Sequence, residues 1–171
     1  SAIGDTVHAL ALMNALRQGY PDAHLTWVLQ NLPYQMVRHQ PDIDQFITFN
    51  RKSSLHEWRM LISRLRKERF DLVIAPQASA KVSLLTFFSR AAVKLGFDWK
   101  RSREMHWLVT NRHIPQRPMQ HVQDQFLEFA HFLNVPRTPL RWDFYFTAQE
   151  RDWQQDFFAR LKRPAIGLVI A

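Results

Sequence analysis

Apolar residues recur at helical spacing in the opening segment, with Val7, Leu10, Ala11 and Ala15 on one face, and the run "GYPD" at 19–22 ends that helix. "HLTWVL" (24–29) then switches to a short β-rich pattern. A weaker helix follows in "LPYQMVRHQ" (32–40), then a strand in "QFITFN" (45–50). The helix after Ser54 is the best marked. Glu57, three residues on, completes a capping box, and Leu55, Trp58, Leu61, Ile62 and Leu65 form one stripe. "FDLVIA" (70–75) reads as a buried strand, "AKVSLLTFFSRAA" (80–92) as a helix and "KLGF" (94–97) as a short strand ahead of the basic loop "DWKRSREMHW". A helix over 120–135 places Val122, Phe126, Phe129 and Leu133 along one stripe, and "RWDFYF" (141–146) is extended. A last helix opens with a second capping box, Thr147 and Glu150, before the closing strand "PAIGLVIA" (164–171).

Strands alternating with amphipathic helices predict βαβ units joined by right-handed crossovers. The expected fold is therefore α/β, a Rossmann-like, doubly wound parallel sheet. Ligands of such sheets bind beyond the carboxyl ends of the strands, where loops enter helices. That rule singles out "SAIGD", "FNRKSS", "APQASAK" and "GFDWKRSRE".

Composition agrees with a folded domain: 171 residues, 46% hydrophobic and 22% charged. Thirteen Phe and six Trp are expected mostly in the core. No apolar run approaches the ~18 residues of a spanning helix, and the opening lacks a signal-peptide pattern, so the chain reads as soluble and cytoplasmic. With no Cys, disulfides, thiolate nucleophiles and zinc–thiolate sites are all excluded. The net charge of +8 points to an anionic partner. One cluster, Arg51, Lys52, Arg59, Arg64, Arg66, Lys67 and Arg69, falls largely on a helix, where Arg59 to Arg69 read as a solvated face. The other, Lys94, Lys100, Arg101, Arg103, Arg112 and Arg117, is loop-like.

The common fingerprints are missing. There is no GxGxxG or GxxxxGKS phosphate loop, no HExxH, no GxSxG elbow, and the eight His are scattered, so no catalytic metal or bound cofactor is expected. What remains is the Gly4-Asp5 pair at a strand-to-helix junction. Gly4 would let a ligand approach the backbone, and Asp5 would occupy the N-cap or first turn of its helix. His8 reads as a local packing or hydrogen-bonding group.

"SAIGDTVHALALMNALRQGYPDAHLTWV" resembles the opening of glycosyltransferase family nine, the ADP-heptose:lipopolysaccharide heptosyltransferases, whose first loop reads Ser-x-x-Gly-Asp with a His shortly after. "FDLVIAPQASAKVSLL", "KLGFDWKRSRE", "NRHIP" and "QHVQDQFLEFAHFLNVP" resemble later family segments in the same order, to about Pro136. Within the family the wording is closest to members that act first in core assembly, on the Kdo sugar of lipid A. The resemblance implies a two-domain GT-B enzyme of which residues 1–163 are the N-terminal acceptor-binding domain without its first strand. Residues 164–171 would lead into a C-terminal domain that holds ADP-heptose. The chain is thus expected to be part of a longer polypeptide.

The same resemblance implies an inverting transfer of heptose from ADP-heptose to the Kdo–lipid A inner core, with Asp5 as the catalytic base. Acceptor contacts are implied for Ser1, Gly4, Lys81 and Arg103, with Arg51 and Lys52 as further contributors. A lipid-linked acceptor implies peripheral, electrostatic contact with the inner face of the bacterial inner membrane. The sequence departs from the family pattern in two places: Gln77, Ala78 and Ser79 stand where a Gly often follows the Gln, and Asp124 stands near a position commonly Arg. The competing reading is a basic Rossmann-like binding module for nucleic acid or another anionic ligand, without catalysis. Against the nucleic-acid form, no recognition-helix or RNP-type pattern occurs.

Overall fold

A computed structural model of the chain describes residues 2–50, 52–136, 139 and 141–161. Ser1, Arg51 and the closing strand expected over 164–171 lie outside the described residues. The chain runs α1 (Ala2–Gly19), β1 (Thr26–Gln30), α2 (Asn31–Val37), β2 (Gln45–Phe49), α3 (Leu55–Lys67), β3 (Phe70–Ile74), α4 (Ala80–Phe88), β4 (Ala91–Gly96), α5 (His106–Val109), β5 (Arg112–His113), α6 (Val122–Phe132) and α7 (Ala148–Ala159). Every described strand pair is parallel, and the fold is α/β and Rossmann-like.

Both capping boxes form as the sequence predicts. The Ser54 hydroxyl accepts from Glu57 N, and the Glu57 carboxylate accepts from Ser54 N. Thr147 and Glu150 repeat the arrangement on α7, satisfying amides that the helix start leaves unpaired. Arg59, Arg64, Arg66, Lys67 and Arg69 are exposed, as a solvated face requires.

Several boundaries differ from expectation. The helix expected over 80–92 ends at Phe88, because Ser89 turns extended and its hydroxyl bonds back to the Leu85 carbonyl at 2.8 Å. Residues from Ala91 onward join β4, whose edge pairs with β3 from Phe70↔Ala91 to Ile74↔Leu95. "NRHIP" supplies the short β5, and "RWDFYF" forms no strand. Ala2–Asp5 are helix rather than loop, and of its two expected places Asp5 takes the first turn of α1 rather than the cap.

Three apolar clusters hold these elements. Leu12 and Leu16 of α1, Leu95, Phe97, Ile114, and Phe126, Phe129 and Ala130 of α6 form the largest. Ile47, Leu61, Leu65 and Leu85 join β2, α3 and α4, and Leu10, Leu29 and Val37 join α1, β1 and α2. On the α6 stripe Phe126 and Phe129 are buried, whereas Val122, at the first turn, is exposed. The aromatic residues are less buried than expected. Trp99, Trp107, Trp142, Trp153, Phe87, Phe132, Phe146, Phe157 and Phe158 are all exposed, and α7 contributes no buried residue.

The expected single sheet is divided among the described strands. β1 pairs with β2 in one sheet, and β3, β4 and β5 form another. Between the free edges of β1 and β3 runs a cavity of about 710 Å³, lined by every residue of both strands. Ala9, Leu12, Met13 and Leu16 of α1 and Leu65 and Leu85 of the other helices complete its apolar wall. The backbone groups on these edges therefore lack ladder partners across the gap.

Candidate active site

The cavity lining is polar at both ends of the strands, with His24, Glu68, Arg69 and Asp71 where they begin and a second polar group where they end. Gln30 closes β1, Gln77 and Ser79 follow β3, Asp5 and Thr6 come from the first turns of α1, and Lys81 from the first turn of α4; all six line the cavity. The positions follow from the βαβ topology, which brings helix N-termini to the carboxyl ends of parallel strands. The positive end of the α1 dipole favours a carboxylate such as Asp5 in the first turn. Ser79 caps α4, its hydroxyl accepting from Val82 N at 3.4 Å, which fixes the turn that carries Lys81. A half-buried acid and a half-buried base thus share the mouth of one cavity.

Arg103 is brought nearby through its neighbour. The Glu104 carboxylate accepts from Ala80 N, and the Glu104 carbonyl accepts from Ser83 Oγ at 3.3 Å. This tethers the loop after β4 to the start of α4, beside Lys81. The Arg103 side chain itself is exposed and does not line the cavity. Lys52 is also exposed and off the cavity wall, in a turn where Asn50 N bonds Ser53 Oγ at 3.2 Å. Gly4 is a helical residue next to Asp5 rather than a loop residue opening the backbone to a ligand, and it is not part of the described lining.

Arg101, from the second basic cluster, serves the fold. Its guanidinium binds both Glu128 oxygens, at 2.9 and 2.8 Å, pairs with Asp98 and lies over the Phe97 ring. Burial alone would push the Asp98 carboxyl up, but the hydrogen bond and charge of Arg101, aided by the Lys100 and Arg101 amides, hold it below its ordinary value. Burial likewise works against the Arg101 charge, and its two carboxylate partners raise its pKa despite that.

His106 is fully buried at the start of α5, and neither ring nitrogen finds a hydrogen-bond partner. Burial pulls its pKa down, the nearby Ala75 backbone opposes this only in part, and His113 adds repulsion. Gly96 is required beside it, since a Cβ there would stand 2.8 Å from His106 Nε2 and 2.7 Å from Thr110 Cγ2. His8 takes the local role read from sequence, with Nδ1 2.9 Å from Gln123 Oε1. Among the described residues no cluster of three or more His, Asp and Glu is arranged to hold a metal ion.

The family model described as glycosyltransferase family 9 (heptosyltransferase) matches residues 58–171, more than half of the sequence. The chain belongs to glycosyltransferase family 9. This family 9 chain is 30% identical over 157 residues to the lipopolysaccharide core heptosyltransferase OpsX of Haemophilus influenzae, covering 92% of the chain and 45% of that relative. A family 9 glycosyl transferase from Veillonella parvula superposes with a TM-score of 0.79 at 20% identity, over 93% of this chain and 47% of the other. The E. coli heptosyltransferase WaaC with ADP superposes at 0.70 with 26% identity, over 95% and 52%. The family 9 chain therefore spans about half the length of these relatives.

Sequence reasoning named Asp5 and Lys81, which both line this cavity of the family 9 domain, but did not name Thr6 or Gln30, which line it too. The end-of-strand rule could have nominated Gln30. Thr6 carries no such signal, because its burial depends on packing across the cavity. Asp124, the departure from the family pattern, lines a separate cavity of about 310 Å³ between α1 and α6.

Proposed function

We propose that this family 9 chain is the acceptor-binding half of an inverting heptosyltransferase that moves heptose from ADP-heptose to the Kdo–lipid A inner core. The observation that carries the reading is that Asp5 and Lys81 both line one cavity, together with Gln30 and Gln77 from the carboxyl ends of β1 and β3. The names of the H. influenzae and E. coli relatives support the sugar. In the proposed step the acceptor hydroxyl oxygen attacks the anomeric carbon, the bond to the diphosphate breaks on the opposite face, and the hydroxyl proton passes to the Asp5 carboxylate. Asp5 aims the hydroxyl by hydrogen bonding and takes its proton as the bond to carbon forms. Lys81 pairs with an acceptor carboxylate or phosphate, with Arg103 beside it. Donor binding belongs to a second domain reached through 164–171, and Asp5 acts only when that domain closes over the cavity mouth.

The cavity between β1 and β3 supports a further part of this reading, a parallel strand supplied from ahead of α1 that fills the gap and joins the two sheets. A strand–α1–β1 unit of the usual hand puts that strand next to β1. The activity reading is tested by following ADP release from ADP-heptose with a Kdo-bearing acceptor, using the polypeptide that includes both domains. Asp5→Asn is expected to lower kcat by roughly 10²- to 10⁴-fold with the thermal midpoint unchanged. Lys81→Met is expected to raise the acceptor KM with a smaller change in kcat. Undiminished turnover in Asp5→Asn removes Asp5 from the mechanism.

A further inference from the structure

Among the described residues three non-glycine positions have positive φ, and two of them are consecutive: Glu104 at 48° and Met105 at 62°. The third, Asn134, stands just past the end of α6, where asparagine often closes a helix in this conformation. Glu104 and Met105 end no helix. Across them the Arg103 carbonyl accepts from His106 N at 2.9 Å, closing a turn with two left-handed central residues, the type I′ pattern that ordinarily takes Gly, Asn or Asp. Glu and Met meet a steric penalty there, and such a pair persists only where the surroundings hold it.

The turn is held from both ends. His106 is fully buried, and Gly96 lets α5 approach β4 so closely that a Cβ there would stand 2.7 Å from Thr110 Cγ2 and 2.8 Å from His106 Nε2. On the other side Glu104 grips α4 twice: its carboxylate accepts from Ala80 N, and its carbonyl accepts from the buried Ser83 Oγ at 3.3 Å. Capping α4 does not require this grip, because Ser79 already serves as the cap through Val82 N. What the grip adds is a fixed relation between the residues on either side of it, Arg103 in the turn and Lys81 next to Ala80. Arg103 is exposed, and its guanidinium has no hydrogen bond or ion pair among the described residues, so the turn decides where it stands. Glu104 also takes up the first amide of α4, which leaves an incoming anion to the side chains rather than to the helix end.

We infer that Glu104 is a positioning residue: by gripping the first turn of α4 from a strained turn, it holds Arg103 beside Lys81 so that both cations meet one anionic group of the acceptor. Glu104 acts through Arg103 and makes no acceptor contact of its own. The strained turn and its two anchors stand on geometry, and only the identity of the ligand rests on the acceptor reading proposed above.

The test uses the polypeptide that includes both domains, a soluble Kdo-bearing acceptor and ADP-heptose, with acceptor binding also measured by calorimetry in the absence of donor. Glu104→Ala is expected to weaken acceptor binding and raise the acceptor KM by about tenfold, while kcat and the ADP-heptose KM stay within about twofold. Glu104→Gln keeps an oxygen that can accept from Ala80 N and should recover most of the loss. Ser83→Ala removes only the second grip and is expected to raise the same KM by about threefold, which keeps the test open if Glu104→Ala folds poorly. Because Glu104 acts through Arg103, the double variant Glu104→Ala/Arg103→Met should bind the acceptor no more weakly than Arg103→Met alone. An unchanged acceptor KM in Glu104→Ala overturns the proposal. So do additive losses in the double variant, which give Glu104 a separate role, and a fall in kcat and both affinities together with the thermal midpoint, which makes the residue merely structural. Acceptor binding that depends on Glu104 without any transfer refutes the transfer reading alone. Transfer that Glu104→Ala leaves untouched refutes the positioning role alone, and a wild type that binds no Kdo-bearing acceptor overturns both.

Discussion

His106 shows how much one residue's behaviour depends on its surroundings. In the sequence it is one of eight His; in the fold it is sealed beside Gly96 with both nitrogens unpaired. Its pKa is lowered on folding, so the unfolded chain binds the extra proton first. Stability from this group is whole above the unfolded value of about 6.5 and is lost as pH falls below it. The thermal midpoint is therefore expected to drop between about pH 7 and about pH 5, and His106→Met should flatten that interval. A wild-type midpoint that is level across it contradicts the burial. At the same scale Asp5 was named as the base only through the resemblance of its Gly-Asp pair to the family's first loop, while local pattern alone placed it at a helix N-cap or first turn. Which of the two it occupies was not legible, because nothing in "AIGD" prevents a helix from starting at Ala2.

Elements were legible where local chemistry decides them. Both capping boxes need only residues three apart, and α3 and α7 begin where Ser54 and Thr147 place them. The end of α4 was not legible, since Ser89 and Arg90 depart from the helix to let β4 pair with β3. Long-range ion pairs are equally hidden. Arg101 looked like part of a ligand-facing basic loop, yet it joins that loop to Glu128 on α6, 27 residues on. Arg101→Met leaves Glu128 and Asp98 buried without their cation, and is expected to cost about 3 kcal/mol, a drop in midpoint of roughly 6–12 °C. Arg101→Met/Glu128→Leu should recover part of that loss, as fewer buried charges are left uncompensated. Calorimetry that finds the double variant less stable than Arg101→Met would show that the pair is not the source. The β1 and β3 edges carry a separate expectation. Joining an apolar, β-branched segment of about five residues directly ahead of Ser1 should raise the thermal midpoint and slow amide exchange in β1 and β3. A segment of equal length containing Pro and Asp should do neither.

At the scale of the molecule, net charge pointed to an anionic partner but not to where the cations lie in the fold. The five exposed cations of the α3 segment are spread on a solvated helix face, whereas the loop cluster surrounds an apolar surface. The core expectation held for Phe97, Phe126 and Phe129 and failed for Trp99, Trp107, Trp142 and Trp153 for a related reason. Burial is decided by what packs on a face, and α4, α5 and α7 leave theirs uncovered among the described residues. By itself the sequence determined the α/β class, the alternation of strands and helices and the starts of α3 and α7, because periodicity and capping act over three or four residues. Only the tertiary structure decided that Asp5 and Lys81 share one cavity mouth, that Arg101 is internal, that His106 is buried and that the aromatic residues near Trp99 face outward. Each of these depends on contacts between residues far apart in the chain, which packing brings together and local pattern does not record.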